Sequence, residues 1–115
     1  MKKVYHLATC STCQRILKEV GTPTDLITQD IKTEKITEKQ LEEMHGLAGS
    51  YEALFSRKAM KYRALGLNEM SLEEADYKKY ILEEYTFLKR PVFIIDENIF
   101  IGNSKKVVEA VKEAI

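Results

Sequence analysis

The sequence predicts an α/β domain in which a β-α-β half and a β-β-α half are separated by a helical insertion. Three observations carry this. A β-rich run near the amino end gives way at Ser11 to apolar residues at helical spacing. The middle of the chain has helical periodicity with capping signals. The last third returns to two short apolar runs around a polar turn and then to an amphipathic helix.

The elements follow in order. "KKVYHLA" is short and bounded by polar residues, as a first strand should be. From Ser11, Cys13, Ile16, Leu17 and Val20 fall on one helical face, and Gly21 with Pro23 ends the helix. "DLITQDI" reads as a second strand. A strand-helix-strand unit of this length makes the two strands parallel neighbours. The insertion is expected over about residues 31–90, within one domain spanning 1–115. In it, Thr37 and Gln40 form a capping-box signal ahead of Leu41, Met44 and Ala48. "YEALF" is a short apolar piece, "SRKAMKYRALGL" a helix stopped by Gly66, and Ser71 with Glu74 a second capping box. Tyr77, Tyr80, Ile81, Tyr85 and Leu88 would then line one helical face. Val92 to Ile95 lacks polar alternation, which suits a strand covered on both faces. Asp96-Glu97-Asn98 is the hairpin turn, and Asn103 or Ser104 caps a final helix carrying Val107, Val108, Val111 and Ile115.

Composition narrows the function classes. The chain has 115 residues, 44% hydrophobic and 31% charged, which fits one globular domain with a real core. Lys plus Arg and Asp plus Glu are 18 each, so no global field draws nucleic acid or an anionic membrane. No apolar run approaches membrane-spanning length, and His6 and "CSTCQR" make the start a poor signal peptide. The expected setting is a reducing, bacterial-type cytoplasm, where two cysteines are reactive more often than structural. A monomer is expected.

Both cysteines stand in "HLATCSTCQRIL", Cys10 at the strand-to-helix junction and Cys13 in the first helical turn. Residues three apart on a helix are roughly 5–6 Å apart, within the reach of a disulfide. Cys10 would face the free N–H groups and positive end of the helix, which stabilise a thiolate. Cys13 shares the face of Ile16, Leu17 and Val20 and should be buried. An exposed, activated thiol backed by a sheltered one is what dithiol exchange needs. A plain core cysteine at position 13 remains open. A zinc site would need His6 and His45, whose spacing fits no familiar zinc pattern. A phosphatase loop needs C-x5-R, and Arg15 gives C-x4-R. C-x-x-C opening a helix after a strand, in this element order, points to a thioredoxin-like redox fold.

"LKRPVF" starts the penultimate strand with Pro91, a position where proline is permitted. In a thioredoxin-like fold this proline faces the nucleophilic cysteine, and it is a candidate cis-proline. Arg90 would point at the Cys10 thiolate or at an anion held there; otherwise it is a surface arginine after Lys89. Arg57, Lys58, Lys61 and Arg63 form a basic stretch that suits an oxyanion, carboxylates or a protein partner, or is simply a solvated face. His6, on a strand, reads as a packed histidine rather than a catalytic one.

With these pieces in place, the chain resembles the ArsC/Spx/YffB family of thioredoxin-fold proteins over essentially its whole length. The resembling stretches are "YHLATCSTC", "ALFSRKAMKYRALGL", "LKRPVF" and "IFIGNSKKVVEAV". The resemblance implies Cys10 as nucleophile and Arg90 as an oxyanion ligand. It also implies no bound prosthetic group. In the family's arsenate reductases the cysteine attacks arsenate, glutathione resolves the adduct and glutaredoxin releases arsenite. An earlier anion-binding arginine falls near Ser56-Arg57: ungapped, Ser56 takes its place and Arg57 is one residue off. A third arginine has no match, because the region reads Ile101-Gly102-Asn103. The arsenate enzymes also lack a cysteine at the place of Cys13, whereas the Spx branch has a C-x-x-C, uses it as a redox switch and binds RNA polymerase. The YffB branch is linked to glutathione.

The expected function is therefore an ArsC-family thiol–disulfide oxidoreductase, with arsenate as a candidate substrate. Cys10 attacks, Cys13 resolves, and Arg90 with the N–H groups of Ser11 and Thr12 and with Arg57 holds the anion. Glutathione with glutaredoxin, or thioredoxin, supplies electrons, and the substrate is a small oxyanion or a thiol compound. The alternative is an Spx-like redox regulator that binds the RNA polymerase α subunit, without direct nucleic-acid contact. The absence of a longer tail after the final helix's apolar face weighs against that alternative.

Overall fold

A computed structural model describes residues 1–115. The chain forms strands β1 (Lys2–His6), β2 (Leu26–Asp30), β3 (Val92–Ile95) and β4 (Asn98–Ile101). Its helices are α1 (Ser11–Val20), α2 (Glu38–Ala48), α3 (Met60–Ala64), α4 (Glu74–Glu83) and α5 (Lys105–Ala114). Three single turns of 3₁₀ helix lie at Glu52–Leu54, Leu67–Glu69 and Tyr85–Phe87. The chain divides into two compact units, residues 1–35 with 90–115, and residues 36–89.

The first unit is the α/β part. Its sheet has the order β2-β1-β3-β4, with β1 parallel to β2 and antiparallel to β3, and β3 antiparallel to β4. Val4 pairs with Phe93 in register, so both point to one face. There they join Ile16 of α1, Ile95 of β3, and Val108 and Val111 of α5 in one buried cluster. The opposite face is also closed, since Tyr5, Val92 and Ile94 are buried. All four residues of β3 are buried, which accounts for their unbroken apolar run. The β3–β4 loop is only Asp96-Glu97, and Asn98 already belongs to β4. Asp96 takes φ 57°, a conformation its short polar side chain tolerates. The amino terminus pins it, at 3.0 Å from its carboxylate.

The second unit is built around aromatic side chains. Phe55 stacks on Phe87 at 5.1 Å between ring centroids and tilts against Tyr77 at 4.9 Å. Phe55 and Leu88 form an antiparallel bridge, extended by Ser56 N–H to Phe87 O (2.7 Å) and Lys89 N–H to Leu54 O (2.8 Å). Thr37 and Gln40 make the expected capping box on α2.

Four further sequence expectations are corrected. The first strand stops at His6, because Leu7 to Cys10 turn toward α1. The helix expected over 56–67 is reduced to Met60–Ala64, and it stops at Gly66 with φ 72°. The capping box on α4 is Glu73 with Asp76, not Ser71 with Glu74. Glu74 is spent elsewhere: its carboxylate accepts from the N–H groups of Tyr51 (2.6 Å) and Glu52 (3.0 Å). Finally, α4 ends at Glu83, so Tyr85 and Leu88 leave its face; Leu88 joins the bridge with Phe55.

The core placement is testable by chemical denaturation. Ile16, 1% exposed, should cost about 2–5 kcal/mol when cut to Ala. Ile27, 52% exposed on β2, should change stability by about 0.5 kcal/mol or less. Equal losses for Ile16→Ala and Ile27→Ala would contradict this core.

Candidate active site

The site begins where β1 hands the chain to α1. Cys10 donates its N–H to Leu7 O (3.0 Å), and its own carbonyl accepts the first helical bond, from Gln14 N–H (3.1 Å). It is therefore the N-cap of α1, with φ −89° and ψ 116°. Two side chains hold the turn ahead of it. Gln14 donates its amide to Ala8 O, and Asp30 accepts from Ala8 N–H (3.4 Å) and Lys32 N–H (3.2 Å). The parallel register puts Asp30 beside His6, just before the turn. What burial Asp30 has would raise its pKa, but the N–H groups of Lys32 and Ala8, with His6 and Thr33, bring it below the usual carboxylate range. It thus serves the turn as an anion. Sequence reading missed Asp30 and Gln14, because their partners are set by register and turn shape rather than by any motif.

The two cysteines are free thiols with different surroundings. Cys10 is half-buried and Cys13 fully buried, on the same face of α1 as Ile16. The first turn of α1 contains Ser11 and Thr12 and no acidic residue, so the positive end of the helix is left uncompensated. For Cys10, burial alone would raise the thiol pKa. The Cys13 N–H, the Cys13 thiol, the Thr12 N–H and the charge of Arg90 outweigh it, and the net shift is downward. No capping bond of standard geometry forms at the sulfur, so these N–H groups act as nearby dipoles aimed at a charge. Cys13 moves the other way. Burial leads, the negative Cys10 and the hydrogen bond to it add, and the thiol is pushed up to about 11 against the opposing Leu7 backbone and Arg90. One proton thus stays on Cys13 and faces Cys10.

Arg90 and Pro91 enter the same unit from the strand side. The Arg90–Pro91 peptide bond is cis. Gly102, at φ 96°, donates its N–H to Pro91 O (3.0 Å), which ties this segment to the end of β4. Cys10, Ser11, Thr12, Cys13, Arg90 and Pro91 therefore belong to one compact unit. Arg57 belongs to the other, where it is already engaged. Its Nη2 donates to Glu52 Oε2 (2.7 Å) and to Tyr77 Oη (2.9 Å), and its guanidinium lies 5.6 Å from the Tyr77 ring centroid. Glu52, which carried no signal in the sequence, is its counter-ion. His6 ends β1 with its Nδ1 buried and without a hydrogen-bond partner. No group of three His, Cys, Asp or Glu side chains is placed to hold a metal ion. No helix is long and apolar enough to cross a membrane.

The ArsC family model matches residues 5–111, from the end of β1 into α5. The chain belongs to the ArsC family. Solved structures agree on the fold of this ArsC-family protein. A YffB protein superposes with a TM-score of 0.80 at 20% identity, covering 99% of this chain and 98% of its own. An arsenate reductase from Vibrio cholerae gives 0.77 at 17% identity, covering 99% and 97%. An arsenate reductase (ArsC) related protein from Brucella melitensis gives 0.71 at 23%, covering 95% and 92%. No curated protein matches the chain in sequence.

Two substitutions test the electrostatics. Arg90→Ala removes a cation that lowers the Cys10 pKa, and Cys13→Ala removes the proton donated to its sulfur. Each should move the pH midpoint of iodoacetamide alkylation at Cys10 upward, toward the ordinary thiol value of about 8.5. An unchanged midpoint in Arg90→Ala would remove Arg90 from the site.

Proposed function

We propose that this ArsC-family protein is a thiol–disulfide oxidoreductase with Cys10 as nucleophile and Cys13 as resolving thiol. The observation that carries the reading is the opposite displacement of the two thiols at the start of α1, Cys10 downward and Cys13 to about 11. This favours the thiolate where an attacking group is needed and holds a proton where a second thiol must wait.

The chemistry follows from those charges. The Cys10 thiolate attacks a substrate disulfide, forms a mixed disulfide and expels the first thiolate. That bond removes the negative charge on Cys10, one of the causes holding the proton on Cys13. Cys13 can now lose its proton, attack the Cys10 sulfur, and expel the second thiolate. The product is a Cys10–Cys13 disulfide, two electrons having passed to the substrate. With arsenate, Cys10 displaces water from arsenic(V). Attack of the second thiol on the Cys10 sulfur then leaves the electron pair of the S–As bond on arsenic, which departs as arsenite. Glutathione with glutaredoxin, or thioredoxin, returns the disulfide to two thiols. Ser11, Thr12 and Arg90 are the proposed anion ligands. Arg57, in the other unit, is already neutralised by Glu52 and is left out of this ligand set.

A second reading draws on the same cysteine pair: a redox switch that alters binding to the RNA polymerase α subunit when the disulfide closes. Capture of the α subunit by the oxidised but not the reduced protein would favour it over catalysis.

The catalytic reading is tested by arsenate-dependent NADPH oxidation coupled through glutathione, glutaredoxin and glutathione reductase. Turnover should vanish in Cys10→Ser, and Cys13→Ser should accumulate a mixed disulfide on Cys10. Full activity in Cys13→Ser would show that an external thiol resolves the adduct. No turnover with arsenate or with a model disulfide would remove the enzyme reading.

A further inference from the structure

Helices α1 and α5 lie side by side over the same core, with Ile16, Leu17 and Val20 facing Val107, Val108, Val111 and Ile115. Above that seam runs a groove of about 350 Å³, of the size that holds small ligands. Its lining is almost entirely polar. Val108 is its one apolar residue and is itself buried.

The charges along the groove are sorted. At one end Lys112 lies 3.6 Å from Glu19 and 3.6 Å from Glu109, so two carboxylates share one ammonium. At the other end stand Arg15, Asn103 and Lys105, whose side chains make no hydrogen bond or ion pair within the protein. The first turn of α5 begins there, with no acidic residue in it. Two unpaired cations and an amide thus face a cluster with an excess of carboxylate. From Lys105 to Lys112 the helix rises about 10 Å, and three extended residues span about the same length.

We propose that this groove binds a short dipolar peptide, with its carboxylate on Arg15, Asn103 and Lys105 and its ammonium on Glu19 and Glu109. Apolar ligands find almost no surface, and a simple anion would leave the acidic end unused. Arg15 is five residues beyond Cys10, about 7.5 Å along the helix axis, and the groove runs from Arg15 toward Glu19, away from the reactive thiol. The proposal goes beyond the oxidoreductase reading and does not depend on it.

Trialanine, a dipolar peptide with one carboxylate, one ammonium and no thiol, is the probe. Titrated into the ¹⁵N-labelled protein, it should cause saturable shifts at the amides of Arg15, Glu19, Lys105 and Glu109. The double variant Arg15→Ala/Lys105→Ala should weaken binding by about tenfold or more, and so should amidation of the peptide's carboxylate. Both substituted residues are exposed, so the rest of the spectrum should stay in place. Shifts that never saturate, equal binding by the double variant, or equal binding of acetate would overturn the proposal. Because the probe is inert, loss of binding with thiol chemistry intact would remove only the groove. An unreactive Cys10 with binding intact would remove only the oxidoreductase reading.

Discussion

The proposed chemistry of this chain depends on one proton, the one Cys13 keeps and presents to Cys10. Cys13 is buried against the apolar face of α1 and stays protonated to about pH 11; Cys10, at the open end of the same helix, receives its hydrogen bond and ionises early. Neither behaviour belongs to one residue. The Cys10 charge raises Cys13, and the Cys13 proton lowers Cys10. The two thiols therefore titrate as a pair. Placing Cys10 at the N-cap requires a tight turn after β1, and the turn requires Asp30 and Gln14. The sheet register that brings Asp30 there is thus part of the site.

The second unit answers a different demand. Its short 3₁₀ turns and five-residue helix cannot stand on helix propensity alone. They are held by the ring cluster around Phe55 and by carboxylates that reach across sequence. Glu74 receives two N–H groups from the start of the Glu52–Leu54 turn, and Glu52 receives Arg57. A guanidinium already paired at 2.7 Å offers an outside anion less than a free one would.

Much of this was legible in the sequence, for identifiable reasons. Strand and helix periods, the Thr37 cap and the all-apolar Val92–Ile95 run are local signals, and each appears in the structure. Cys10 and Cys13 were legible as a pair because three residues on a helix fix their separation whatever surrounds them. The missed features lie outside those local periods. Glu74 had the spacing of a capping residue for Ser71 but is recruited by Tyr51 and Glu52. Tyr85 and Leu88 had helical spacing but lie past the end of α4. Asp30, Gln14 and Glu52 show no motif, since their partners are set by sheet register and turn shape.

The order in which the two thiols ionise decides whether they share a proton. In the reduced protein, the ¹³Cβ shifts of both cysteines followed across pH would resolve it. Cys10 should titrate first, below the ordinary value of about 8.5, and Cys13 only near pH 11. Two thiols titrating together near the ordinary value, or Cys13 ahead of Cys10, would contradict the shared proton.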